Sequence, residues 1–300
     1  MQINLAKRLL LMQPAAFGFN NETASTNSFQ QQKEVKAVQA KALSEFNRLA
    51  EALKTADIDF DLLIDNPKPR KPDAIFLNNW FSTHVGGKLV IYPMATPSRQ
   101  AEITDSHLRW LATQGYATQI DLRTVAEAGQ YLEGTGSLVF DHAHGVVYAG
   151  ESARTSAALA QHTSALLGYK ALLFNAKDHQ NKSIYHTNVW LSVSPTLAIA
   201  CFKALADSDE AALLAALLER NGRRVIAVSM EQMAQFCCNA LVVQCRQGQA
   251  KIVLSETAWS AFTPYQQLWI AERAEPVVAA IPTIEQVGGG SVRCMLAELF

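Results

Sequence analysis

Residues 184–230 read IYHTNVWLSVSPTLAIACFKALADSDEAALLAALLERNGRRVIAVSM. Two apolar, strand-like runs, IYHTNVWLSV and TLAIACF, come first. A helical stretch, DSDEAALLAALLERNG, follows, with acids in its first turn, Arg220 in its last turn and Gly222 at its end, charges that complement the helix dipole. RRVIAVSM then reads as another strand, so the unit is β-β-α-β.

The same order recurs on both sides. Upstream, residues 131–140 and 145–148 read as paired strands, RTSAALAQHTSALLGY (154–169) as a helix and KALLFNA as a strand. An earlier copy is built from DAIFLNNWFST, KLVIYPM and the helix around SHLRWLATQGY, and a later one from CNALVVQC, KIVLSE and TPYQQLWIAER. A fifth unit is split: a strand at 9–13 and a helix at 32–55 are completed by the C-terminal segment that holds Cys294. Five units of about 60 residues predict a closed ring whose first and last segments meet. The fold class expected is therefore α/β, a five-bladed ββαβ propeller with pseudo-fivefold symmetry, formed by residues 1–300 as one domain. The polar stretch FNNETASTNSFQQQ (19–32) is the longest irregular segment and is placed to cover the centre of the ring.

Composition narrows the function. With 26 basic against 27 acidic residues and a formal charge of −1, the chain lacks the basic stripe that a nucleic-acid or anionic-membrane surface requires. The N-terminal MQINLAKRLLLMQPAAF mimics a signal peptide, but its apolar run ends at Gln13 and Pro14 and reads as a buried strand. Five cysteines, without CxxC or zinc-finger spacing, suit reduced thiols in the cytoplasm. Cys201, Cys237, Cys238 and Cys245 lie in apolar runs and are expected to be small core hydrophobes. His84, His107, His162 and His179 are read as solvated or core groups. In DHAH, strand alternation would put His142 and His144 on one face, but further ligands are missing and no metal is expected.

Four motifs occupy equivalent places near strand ends: FLNNWFS, YLEGTGS, YHTNVW and GGGSVRC. In a ring they converge, bringing together Asn79, Glu133, His186 and Cys294: a thiol nucleophile, a proton shuttle and a carboxylate, the set needed to attack a carbonyl-like carbon. Glycines 288–290 are expected to allow positive φ and close approach of the backbone to a ligand.

LEGTGS, the HxN of YHTN and the terminal GGGSVRCM resemble the Glu, His and Cys motifs of the pentein, or guanidine-modifying, superfamily of deiminases, dimethylarginine hydrolases and amidinotransferases. QPAAFGFNNETASTNSFQ, DAIFLNNWFSTH and GGGSVRCMLAE are most similar to the arginine deiminase-related citrulline hydrolases, and the likeness runs over nearly the whole chain. The resemblance implies the five-unit α/β-propeller. It also implies Cys294 as nucleophile, His186 as proton shuttle and Glu133 as the carboxylate that holds the substrate nitrogens. Arg154, in ESARTS, resembles the arginine that engages a substrate carboxylate; Asn20 and Thr23 would be lid contacts.

Two departures bear on the substrate. Where guanidinium-accepting deiminases typically carry acids, this chain has Asn79 and Asn188. A buried guanidinium needs carboxylates, whereas an amide offers one acceptor, two donors and no charge. The expected function is a cofactor-free thiol hydrolase that converts the ureido group of citrulline to ornithine, ammonia and carbon dioxide. Two other readings stand beside it: a guanidino-group deiminase or amidinotransferase that meets the cation with Glu133, and a non-catalytic pentein ring that binds a partner. The expected partners are a small amino-acid substrate and, in a homo-oligomer, further copies of the chain, with neither nucleic acid nor membrane.

Overall fold

The computed structural model describes residues 5–32, 36–220 and 222–300. It holds fifteen strands: β1 Arg8–Gln13, β2 Asp59–Ile64, β3 Phe81–His84, β4 Lys88–Ile91, β5 Thr118–Asp121, β6 Leu138–Asp141, β7 Val146–Gly150, β8 Lys170–Phe174, β9 Leu191–Val193, β10 Leu197–Ala200, β11 Arg224–Ala227, β12 Leu241–Gln244, β13 Ala250–Ser255, β14 Glu275–Ala279 and β15 Ala297–Leu299. They form five three-stranded sheets. In four of them, consecutive strands pair first antiparallel and then parallel, as β3-β4-β5, β6-β7-β8, β9-β10-β11 and β12-β13-β14. A parallel pair needs a crossover, and the helices Asp105–Thr113, Ala157–Leu166 and Ser208–Arg220 supply it in three units. In the unit of β12-β13-β14 two shorter helices, Glu256–Ala261 and Pro264–Ala271, do so.

The fifth sheet, β15-β1-β2, has the same pattern although its strands come from opposite ends of the chain: β15 is antiparallel to β1, and β1 is parallel to β2 across the helix Val38–Thr55. This is the split unit expected from sequence. The helix starts later than position 32, and residues 33–35 lie outside the described residues. Middle strands are covered on both faces, and Leu9, Leu10 and Leu11 of β1 are fully buried, worth about 1.5–3 kcal/mol each by transfer of the side chain from water.

Neighbouring units meet at five seams. Thr83 Oγ1 donates to the Glu298 carbonyl (2.8 Å), His84 packs edge-on against Phe140, and Arg223 pairs with Asp141 (2.6 Å). Ser192 Oγ donates to the Ala240 carbonyl, and Gln244 N to the Ala6 carbonyl. The last joins the unit of β12-β13-β14 to the split one, so the seams lead around the α/β-propeller and back to its start.

One expectation needs correction throughout. The first strand of each continuous unit is shorter than the apolar pattern suggests: β6 begins at Leu138 rather than 131, and β9 at Leu191 rather than 184. The residues ahead of these strands form short helical turns, at Leu77–Asn79, Gly134–Ser137 and Thr187–Val189. Their apolar side chains are buried at the axis, so burial pattern alone cannot distinguish turn from strand. Trp80 and Trp190, both fully buried, stand at matching places just after the first and third of these turns.

Candidate active site

The short turns position the chemistry. Asn78 and Asn79 lie in Leu77–Asn79, Glu133 directly precedes Gly134–Ser137, His186 directly precedes Thr187–Val189, and Cys294 lies in the turn Val292–Met295 before β15. Each turn leads into the innermost strand of its unit, so residues far apart in sequence face one another. Thr187 Oγ1 donates to the Ser137 carbonyl (2.5 Å) and accepts from Gly150 N (2.8 Å), tying the His186 turn to the Glu133 turn.

His186 and Glu133 form the central pair. His186 Nε2 lies 2.8 Å from Glu133 Oε2, and both residues are buried. Burial alone would raise the Glu133 carboxyl, but Arg154 (Nη1 at 3.5 Å), the His186 hydrogen bond and Arg99 outweigh it and hold the group well below the usual carboxylate range. Burial pushes His186 down to about 4 against the pull of Glu133, so the imidazole is neutral at pH 7. With Glu133 ionised, Nε2 must carry the proton and donate it, which leaves the Nδ1 lone pair free. Glu133 is fully enclosed and its Oε1 accepts from Ala95 N (3.1 Å). This differs from the role expected for it: the carboxylate is occupied in orienting His186 and compensating Arg154, and it does not reach the cavity wall.

That cavity is lined by Asp73, Asn79, Arg99, Arg154, His186 and Cys294, with Asn27, Phe76 and Tyr185 over them. Its volume is about 10 Å³, room for no more than one water. Segment 19–32 closes it: Arg154 donates to the Thr23 carbonyl (2.9 Å) and to Thr26 Oγ1 (2.6 Å), and Asn27 abuts the carbonyls of Gly288 and Gly289. At this volume the wall must give way before a substrate binds, and segment 19–32, through Asn27, forms part of that wall.

Asn20 and Thr23 meet the site indirectly. Asn20 Nδ2 (2.8 Å) and Thr23 Oγ1 (3.2 Å) both donate to Asp73 Oδ2, while Asp73 Oδ1 is buried without a partner. Arg154 lines the cavity, stacked 4.8 Å over the Tyr185 ring, and in this closed state its donors are taken by Glu133 and the covering segment. Asn79 Oδ1 accepts from Arg99 Nη1 (3.1 Å), and its Nδ2 is a buried donor with no partner. Asn188 is not on the wall of this cavity; it backs the nucleophile, with Nδ2 at 3.6 Å from Cys294 Sγ.

Three residues escaped the sequence reading. Asp73 begins the DAIFLNNWFST motif, and Arg99 follows the middle strand of its unit as Arg154 follows β7, so internal repetition could have found both. Asn239, just ahead of β12, donates from Nδ2 to Cys294 Sγ (3.3 Å) and accepts the Arg293 N–H (3.0 Å), which fixes the amide's orientation. His142 and His144 separate instead of sharing a face: one bonds Tyr169 OH, the other Asp141 and Arg223. Among the described residues no group of three or more His, Cys, Asp and Glu could hold a metal.

The glycines earn a revised account. Of positions 288–290 only Gly289 has positive φ (67°); a Cβ at Gly288 would lie 2.8 Å from the Phe76 ring, and one at Gly290 3.0 Å from it. Gly136 is more constrained, since its Cβ would fall 2.5 Å from Asn79 Nδ2 and 2.6 Å from His186 Nδ1. Gly136→Ala is expected to lower kcat by about 100-fold, the scale for a misplacement of about 1 Å. Steady-state kinetics check this, with a thermal melt to show that the fold persists.

The family model for eukaryotic N,N dimethylarginine dimethylhydrolase matches residues 13–300. The chain belongs to this family. Its members are enzymes of pentein type, hydrolases acting on carbon–nitrogen bonds. Among solved structures, the substrate-bound N-terminal domain of ArgZ, an arginine dihydrolase from the ornithine-ammonia cycle in cyanobacteria, is similar at 17% identity and a TM-score of 0.77, with 97% of each chain covered. Against whole ArgZ in its apo form the chain spans 40% of the length. The dimethylarginine dimethylhydrolase from Pseudomonas aeruginosa, a cysteine-to-serine mutant complexed with citrulline, is similar at 17% identity and a TM-score of 0.70, covering 98% of this chain and all of the other. At such identities the neighbours speak to the fold. A search of curated proteins finds no match.

Proposed function

We propose that this family member hydrolyses the ureido group of citrulline through a covalent intermediate on Cys294. The observation that carries the proposal is Asn79 Nδ2, a buried, unpartnered donor beside His186 Nδ1, in a turn where residues 78 and 79 are both amides. A ureido oxygen satisfies that donor without bringing charge into the site; a guanidinium would oppose N–H to N–H. The rest of the wall suits the zwitterionic end of an amino acid. Asp73 Oδ1 can accept an ammonium, and Arg154, whose donors segment 19–32 occupies in the closed state, can turn to a carboxylate once Thr23 and Thr26 give way.

The neutral His186, held in its Nε2–H form by Glu133, takes the Cys294 proton at Nδ1 as sulfur attacks the ureido carbon, then passes it to the departing ammonia. Water attacks the S-carbamoyl intermediate, the thiol leaves, and the carbamate formed decomposes to ornithine and carbon dioxide. The unpartnered carboxylate oxygen of Asp73 and the family itself favour a second reading, attack on a guanidino carbon with Asp73 as counter-ion.

Incubation with citrulline, arginine and dimethylarginine, followed by assay of ornithine, ammonia and dimethylamine, separates the two. Ornithine and ammonia from citrulline are expected. Turnover of the guanidino compounds alone would overturn the ureido reading.

A further inference from the structure

A cavity of about 360 Å³ lies between segment 19–32, the turn at Asp178, the short helix Met230–Ala234 and the helix Pro282–Gly288. It shares no lining residue with the cavity at Cys294. Its volume falls in the range of about 300–1,000 Å³ usual for small-molecule sites, whereas the space beside the thiol is about 10 Å³.

Two kinds of side chain make its wall. Phe29, Met230, Met233 and Phe236 are apolar, and the Phe29 and Phe236 rings stand 5.6 Å apart. Phe236 is held at φ 62°, a left-handed backbone that aromatic residues rarely adopt, so the surrounding structure imposes the position of this ring. The other kind is acidic. Asp178 is 9% exposed; its Oδ1 accepts the Gln180 and Lys182 N–H groups (2.9 and 3.0 Å), and its Oδ2 accepts no hydrogen bond among the described residues. Glu285, 3% exposed, accepts from Ser291 Oγ and Thr257 Oγ1 (both 2.6 Å), and burial pushes its carboxyl up against the pull of these hydroxyls. Buried carboxylates are ordinarily paired with a cation. Among the described residues no Lys or Arg lines this cavity.

We propose that this cavity is a second binding site, for an alkylammonium ion: the charged head meets Asp178 Oδ2, and the chain lies along Phe29, Met230, Met233 and Phe236. The thioethers suit an alkyl chain because they repack around varied shapes. An ammonium fits better than a guanidinium, since Asp178 Oδ1 is already engaged and a single free oxygen offers a point contact instead of the two-oxygen fork that a guanidinium matches. Glu285 adds its negative field from the same wall. An amino acid would bring its own carboxylate against both acids, so the site does not take the substrate class proposed above, and it stands whichever substrate Cys294 attacks.

Calorimetric titration of the full chain with three ligands of one chain length tests the proposal. Hexylamine, cationic at neutral pH, is expected to bind at least about tenfold more tightly than hexan-1-ol, the scale of one charge-assisted hydrogen bond. Hexanoate is expected not to bind. Asp178→Asn can keep both bonds at Oδ1 while removing the charge, and is expected to weaken hexylamine about tenfold. Ala234→Phe, which places a ring in the cavity from an exposed position, is expected to abolish binding. A thermal melt shows that each variant is folded, and the three-ligand series on the wild type decides the charge requirement without them. Equal affinity for hexylamine and hexan-1-ol, no binding of hexylamine at millimolar concentration, or wild-type affinity in either folded variant overturns the site.

Discussion

Cys294→Ala is expected to reduce ammonia release from citrulline by at least about 10³-fold, because groups that act as one unit lose nearly everything when one is removed. The same logic predicts that His186→Gln added to Cys294→Ala costs little more. Mass spectrometry of the wild type quenched during turnover should show the S-carbamoyl adduct on Cys294, and none on the variant. The other thiols give the contrast. Cys237 and Cys238 are buried, with burial pushing the first up to about 12 and the second well above the ordinary thiol range, so neither offers a thiolate. Replacing either with alanine should act through packing alone. The pH profile supplies a further sign: the base is competent while neutral, and burial has moved that threshold to about 4, so activity governed by His186 should persist well below the 6.5 of a free imidazole. Retention of full activity by Cys294→Ala would instead rule out covalent catalysis through that thiol.

Repetition made the fold legible. The β-β-α-β order of residues 184–230 recurs with enough fidelity to locate the split unit, and β15 does complete the sheet of β1 and β2. Of the site, residues in recognisable motifs were legible, since Cys294 and His186 share one cavity wall and Glu133 touches His186. What a motif cannot express is direction. The resemblance of LEGTGS implies Glu133 as a substrate ligand, yet its two oxygens are occupied by His186, Arg154 and Ala95. The motifs pair Asn188 with Asn79 as substrate-facing amides, but the residue that matches Asn188 in position is Asn78: both stand three residues ahead of a first strand, and both leave Oδ1 buried without a partner. Asp73 heads the DAIFLNNWFST motif without a role legible in it, Asn239 lies in no site motif, and only the closing of the ring brings both to the nucleophile.

In the ureido reading, preference for a neutral substrate therefore rests on Asn79 alone and not on two asparagines, and Asn79→Asp is the substitution that tests it. The new carboxylate would keep the Arg99 contact through one oxygen, since Asn79 Oδ1 already accepts from Nη1 at 3.1 Å. Its other oxygen would replace Nδ2, turning a buried donor into an acceptor beside His186 Nδ1. For citrulline the change removes the donor that meets the ureido oxygen as charge builds on it, a loss of the oxyanion-hole kind, about 10²–10³-fold in kcat. For arginine the sign reverses, because a carboxylate both matches the guanidinium donors and cancels the charge that a buried site would otherwise have to hold. The measured quantity is the ratio of kcat/KM for citrulline to that for arginine, which should fall further than the citrulline activity alone. Asn78→Asp, one position away but bonded to Thr135 Oγ1 rather than set on the cavity wall, should leave that ratio nearly unchanged. If Asn79→Asp instead lowers both substrates equally, the asparagine positions Arg99 and does not read the substrate's charge.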